Sequence, residues 1–166
     1  MQQHTLAVHV NDHPGVLTRV ANLFGQRGFN IDSITVGASE QKGLSRMIIT
    51  TGGDEQQLDQ LMKQLVKLID VISVTNLSQD AMVSRELALI KVDATPSQRA
   101  EINGIVEPFR ATIVDIGPTS LIIQATGDSD KIDALLVLLQ PYGIRELTRT
   151  GSMAMARSIV SQTVNA

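Results

Sequence analysis

Residues 4–31, HTLAVHVNDHPGVLTRVANLFGQRGFNI, leave a chain few ways to fold. Leu6, Val8 and Val10 alternate with Thr5, Ala7 and His9, which is the period-two pattern of a strand over residues 4–10. Asn11-Asp12-His13 stops that strand, and Pro14-Gly15 opens a helix. Proline suits a first helical turn because its missing N–H would be unpaired there anyway, and Asp12 is placed to cap it. Val16, Leu17, Val20, Leu23 and Phe24 then share one stripe, the spacing of a helix laid on a sheet, and Gly28 ends it. A second strand follows over residues 29–36, with Ile31, Ile34 and Val36. Gly15 leaves the neighbouring amides uncovered by a Cβ, so the helix start is exposed and partly positive. It is either an ordinary capped start or a site that attracts a carboxylate or phosphate.

The remaining chain repeats this grammar. Residues 44–51 return as a hairpin partner. Asp54 then opens a helix carrying Leu58, Leu61, Met62, Leu65, Leu68 and Ile69 at three- and four-residue steps, and residues 71–77 form a strand. The order is β-α-β-β-α-β, the split pattern of a ferredoxin-like fold, in which two helices cover one face of an antiparallel sheet. After a short polar crossing it recurs: a strand over 87–92, a helix over 96–110 with Ile102, Ile105, Val106 and Phe109 inward, a hairpin of 112–116 and 121–126 around Gly117-Pro118, a helix over 130–140 and a strand over 144–148. The expected fold class is α+β, with tandem ferredoxin-like domains at 1–77 and 78–166. The tail from Ser152 reads as either a partly ordered helix or a free end. Its Met153-Ala154-Met155-Ala156 run suggests a partner surface.

Composition narrows the function classes. A formal charge of −3 over 166 residues provides no basic footprint for nucleic acid or anionic membranes. Phe24, Phe29, Phe109 and Tyr142 are the sole aromatic residues, too few for a base-stacking platform. Without cysteine there is no disulfide framework, thiolate nucleophile or Cys-based zinc site. The N-terminus lacks a basic region followed by a long apolar run, and no apolar window reaches the roughly eighteen residues of a membrane span, so the expected location is cytoplasmic.

Acid–base and metal chemistry find no constellation. His4, His9 and His13 all fall within the first strand and turn, where a surface or interface role is expected of His9 and His13 and no metal site. Asp32, Glu40, Asp54, Glu55 and Asp59 read as solvated turn and helix-start carboxylates. Lys63, Lys67, Lys91, Arg27 and Arg46 are scattered rather than striped. No phosphate-cradling glycine loop occurs and no nucleophile–base–acid set converges, so catalysis by this chain alone is not expected.

Asn11-Asp12-His13-Pro14-Gly15-Val16-Leu17, Arg27-Gly28-Phe29-Asn30-Ile31 and Leu44-Ser45-Arg46-Met47 resemble the first domain of the regulatory (small) subunits of acetohydroxyacid synthase, also called acetolactate synthase. That domain is an ACT domain, a ligand-binding module of amino-acid metabolism. The likeness continues through residues 85–92 and 113–116 into Arg149-Thr150-Gly151, and so covers nearly the whole chain. It implies a non-catalytic subunit with no cofactor or metal of its own. Such a subunit binds the thiamine-diphosphate-dependent catalytic subunit, raises its activity, and transmits inhibition by valine or a related branched-chain amino acid. It also implies a homodimer through edge-to-edge ACT domains, with the effector where the helix start of one copy faces the second strand of the other. On this chain, amides near Gly15 and Val16 would take the effector carboxylate. Asp12 or the side-chain oxygen of Asn30 would take the ammonium, and Val16, Leu17 and Ile31 the apolar side chain. One common form of the motif has Asn three residues before the glycine; this chain has Asp12 there, with Asn11 one earlier. A free-standing amino-acid sensor and an enzyme using the hairpin loops are the competing classes.

Overall fold

The structure is a computed structural model and describes residues 2–158. These residues separate into two units, one comprising residues 2–83 together with 153–158, the other Ser84–Ser152.

The first unit contains β1 (Gln2–Asn11), α1 (Val16–Gln26), β2 (Ser33–Ala38), β3 (Leu44–Gly53), α2 (Glu55–Leu65) and β4 (Val71–Asn76). Its sheet runs β2-β3-β1-β4 and is antiparallel throughout, the ferredoxin-like order. Register places Val8 opposite Met47 and Leu6 opposite Ile49. These side chains meet Val20 and Phe24 of α1 and Leu58, Leu61 and Leu65 of α2 in one core. Each such fully buried Leu or Ile contributes roughly 1.5–3 kcal/mol before entropy is subtracted. Asp54 is the cap of α2, accepting from the N–H groups of Gln56 and Gln57 at 2.8 and 3.2 Å.

Two boundaries move from their sequence positions. β2 begins at Ser33, because Phe29 turns into the core instead of pairing: its ring meets Phe24 edge-on at 6.4 Å and lies where a Cβ on Gly53 would collide with it. α2 ends at Leu65, after which Lys67, Leu68 and Val71 donate to carbonyls three residues back. That tighter turn rotates Ile69 outward, so it is 91% exposed rather than inward-facing.

The helix-free face is also covered in part. Ala7 and Ile48 form a second cluster with Leu77 and Ala154, with Met82 packed against it. Ala154 belongs to β9 (Met153–Ala156), which pairs with β5 (Met82–Asp93), a strand whose first two residues lie in this unit. Arg157 N–H donates to the Ala81 carbonyl at 2.8 Å. The start of the tail is therefore a strand, neither the helix nor the free end left open by its sequence, and it joins the first unit rather than the second. Residues 159–166 lie outside the described residues.

In the second unit β5 is followed by α3 (Arg99–Val106), β6 (Thr112–Ile116), β7 (Ser120–Gly127), α4 (Ser129–Leu139) and β8 (Ile144–Arg149), in sheet order β6-β7-β5-β8. Ile90, Val92, Ile102, Val106, Leu121, Ile123, Ile132 and Leu135 form its core. The helix expected over 96–110 is split: residues 96–98 and 107–109 are 3₁₀ turns, the second containing Pro108, whose missing N–H cannot continue an α-helix. A buried carboxylate, Glu86, is held by Arg149, which also reaches Asp133. The repeat extends to small irregularities. Pairing slips between His9 and Val10 in the first unit and between Lys91 and Val92 in the second. Among the described residues no helix is long and apolar enough to cross a membrane.

Ala154→Asp would put a carboxylate among Ala7, Ile48 and Leu77. It is expected to cost about 1–3 kcal/mol in urea unfolding of the full chain. A change below about 0.5 kcal/mol, the scale of an ordinary surface substitution, would mean that β9 is not docked.

Candidate effector site

The site grows from the end of β1. Asn11 N–H donates to the Asp70 carbonyl at 2.8 Å, Asp12 N–H to the Gly43 carbonyl at 2.9 Å, and Val16 N–H to the His13 carbonyl at 3.3 Å. The last bond closes a turn with Pro14 and Gly15 at its centre. Gly15 has φ 85° and ψ −3°, which is the third position of a type II turn and a conformation that glycine adopts without strain. The helix proper starts at Val16, so Pro14 belongs to the turn and not to the first helical turn. Gly15 occupies the cap position, no side chain caps α1, and Asp12 is exposed and not its cap. With Val16 N–H committed to the turn, the N–H groups of Leu17 and Thr18 have no protein acceptor among the described residues. Two open donors at an uncapped helix start make an anion-attracting surface.

The expected site residues divide into two groups. Asp12 and Gly15 are exposed at the turn, and Leu17 is 46% exposed beside them. Val16, by contrast, is 4% exposed and sits in the core with its N–H already used, so neither its side chain nor its amide is available to a ligand. Asn30 and Ile31 lie past the other end of α1, whose length is about 16 Å for eleven residues. A single chain therefore does not bring them to Gly15. Asn30 is exposed; its amide donates to Asp32 Oδ1 at 2.8 Å and its backbone carbonyl accepts from the Thr51 hydroxyl at 2.6 Å. Its side-chain oxygen has no partner among the described residues. Ile31 is half-buried against the core.

Asp70 is the residue that sequence reasoning missed. It precedes β4 and is 7% exposed; one carboxylate oxygen accepts from His13 Nδ1 at 2.9 Å and the other from Arg19 Nη2. The hydrogen bond from His13, then that from Arg19, hold its carboxyl below the usual carboxylate range against the opposing effect of desolvation. Its contribution is thus present above the ordinary carboxylate pKa and is lost as pH falls through the lowered one. A lone acid just before a strand carries no pattern that would have announced this. The other histidines have local partners: His4 Nε2 lies 3.2 Å from the Gly53 carbonyl, and His9 Nδ1 lies 3.4 Å from the Ser73 hydroxyl.

The matching helix start of the second unit carries a capping box. Thr95 N–H donates to Gln98 Oε1 at 3.0 Å and Gln98 N–H to the Thr95 carbonyl at 3.0 Å, with Pro96 between them. A cleft of about 790 Å³ between α2 and β4 is rimmed by Asp54, Glu55, Asp59 and Asp80. Two of those acids are occupied, Asp54 in capping α2 and Asp59 in pairing with Lys63 at 2.6 Å.

Two family models match the chain in order along its length. Residues 6–73 match the AHAS small subunit-like ACT domain, and residues 85–158 match the small subunit of acetolactate synthase. The chain is 51% identical over 155 residues to the probable acetolactate synthase small subunit of Archaeoglobus fulgidus, covering 93% of this chain and 97% of that one. Its identity to the acetolactate synthase small subunit of Bacillus subtilis is 50% over 153 residues, or 92% and 89% of the two chains. The crystal structure of the acetolactate synthase small subunit from Thermotoga maritima superposes with a TM-score of 0.87 at 43% identity, covering 96% of this chain and all of that one. With both halves matched in order and nearly full-length relatives at about half identity, the chain belongs to the acetolactate synthase small-subunit family, and its first unit is an ACT domain.

Proposed function

We propose that this chain is the non-catalytic regulatory subunit of an acetolactate synthase in the cytoplasm. It binds the catalytic large subunit, raises its activity, and confers feedback inhibition by valine or a related branched-chain amino acid. The observation that carries this reading is the split of the candidate site over the two ends of α1. Gly15 and the open Leu17 and Thr18 amides lie at one end and Asn30 and Ile31 at the other, which supports a site assembled from two copies. In a homodimer of ACT domains the helix start of one copy receives the effector carboxylate. Asn30 of the other copy, or Asp12, receives the ammonium, and Leu17 and Ile31 contact the branched side chain. An open sheet edge at β2 gives the dimer a physical motive, since its unpaired backbone groups otherwise face solvent. The second unit, whose helix start is capped by Thr95 and Gln98, tunes the response and binds no effector of its own. Met153 and Met155, 57% and 63% exposed on β9, are apolar positions suited to the catalytic subunit.

Two experiments test the reading. The purified chain should convert no pyruvate yet increase the turnover of its catalytic partner. Pyruvate consumption by the chain alone, with contaminating catalytic subunit excluded by mass spectrometry, would overturn the regulatory assignment. A chain that binds valine but stimulates no synthase would instead be a free-standing sensor.

Gly15→Asp is the second. At φ 85° a side chain there is strained, so stability should fall by about 1–2 kcal/mol in spite of the favourable helix end. The added carboxylate also meets the incoming one, at roughly 1–4 kcal/mol for like charges 4 Å apart. The folded variant should still dimerise and still activate, while the valine concentration for half inhibition rises about tenfold or more. Unchanged valine inhibition in such a variant would remove the effector from this helix start.

A further inference from the structure

Arg19 lies one turn into α1, and its guanidinium folds back over the Pro14–Gly15 turn. Its Nη2 donates to Asp70, while Nη1 lies 3.1 Å from the position a Cβ on Gly15 would occupy. Among the described residues no acceptor takes Nη1. The Arg19 side chain is 46% exposed, whereas the Asp70 side chain that grips it is 9% exposed. Asp70 is itself fixed from three directions: Arg19 on α1, His13 in the turn, and its own carbonyl accepting the N–H of Asn11 at the end of β1.

The open amides of Leu17 and Thr18 and the Arg19 guanidinium thus border the same glycine, from the backbone side and from the side-chain side. An amino-acid carboxylate has two oxygens, and an arginine fork beside backbone donors can engage one while the amides engage the other. An arginine free in solvent would lose rotamer entropy on binding such a ligand. One already tied by Nη2 loses less. Gly15 contributes its missing side chain, because a Cβ would stand in the space before Nη1.

We propose that Arg19 is a carboxylate-binding residue of the effector site, and that Asp70 is the positioning residue that holds its guanidinium over the Gly15 turn. This rests on the reading that the effector occupies that turn. The role of Asp70 is exerted through Arg19, which separates it from a general stabilising role.

The test uses the full-length chain and titration calorimetry with L-valine. Fold and association of every variant are checked by near-UV circular dichroism and sedimentation. Arg19→Met should weaken valine binding about tenfold or more, since a charge-assisted hydrogen bond is lost. Asp70→Asn should weaken it less, by about three- to tenfold, because the guanidinium remains but is no longer held. The double variant should bind within about twofold of Arg19→Met alone, as residues acting through one contact are not additive. Arg19→Gln keeps a donor for Asp70 without the charge and carries the same expectation should the methionine variant not fold. A folded Arg19→Met or Arg19→Gln chain with wild-type affinity overturns the role of Arg19 and leaves the effector site in place. Losses that simply add in the double variant overturn the positioning role of Asp70. A wild-type chain that binds none of valine, leucine and isoleucine sinks the effector reading, and this proposal with it.

Discussion

β1 is the strand on which the first unit depends. It pairs with β3 along its whole length and with β4 on its other side, so both of its edges are used. One face, Leu6, Val8 and Val10, supplies the centre of the helix-covered core. The other carries Ala7, small enough for Leu77 and Ala154 to approach. A central strand buried on both faces fixes its register strongly, because a one-residue slip would exchange the two sets of side chains. Its end at Asn11 therefore fixes the chain at the position from which the Pro14–Gly15 turn departs.

The turn itself is set by three different kinds of restraint. Proline and glycine give it a backbone shape, the Val16 N–H to His13 carbonyl bond closes it, and Asp70 ties its histidine to the first helix. Asp70 sits between α2 and β4, and its carbonyl accepts the Asn11 N–H at the end of β1.

The two units carry one plan with different loops. Their sheets have the same order, and one pairing irregularity falls at the same place in each. Their first helices begin in opposite ways. In the first unit a glycine at the cap position leaves the start without side-chain bonds, whereas in the second Thr95 and Gln98 form a capping box around Pro96. The difference is a handful of side chains at one loop, consistent with function residing in sites carried by a fold rather than in the fold.

Much of this was legible in the chain. Alternation in residues 4–10, the stripe from Val16 to Phe24 and the Asp54 cap are local patterns, and local patterns specify elements, their order and hence the doubled ferredoxin-like plan. The motifs around Gly15 and Asn30 carried the family. What tertiary structure decided is what depends on partners far along the chain. Phe29 left its strand because Gly53 makes room for its ring, and Ile69 turned outward because α2 tightened and ended early. Val16 passed from candidate ligand contact to core, and the tail became a strand because Ala7, Ile48 and Leu77 present an apolar face for Ala154. Asp70 became central to the site through His13 and Arg19, 57 and 51 residues away. No periodicity encodes such a pairing: a carboxylate acquires its role from the charges the fold sets around it, and the fold alone brings them within hydrogen-bond reach.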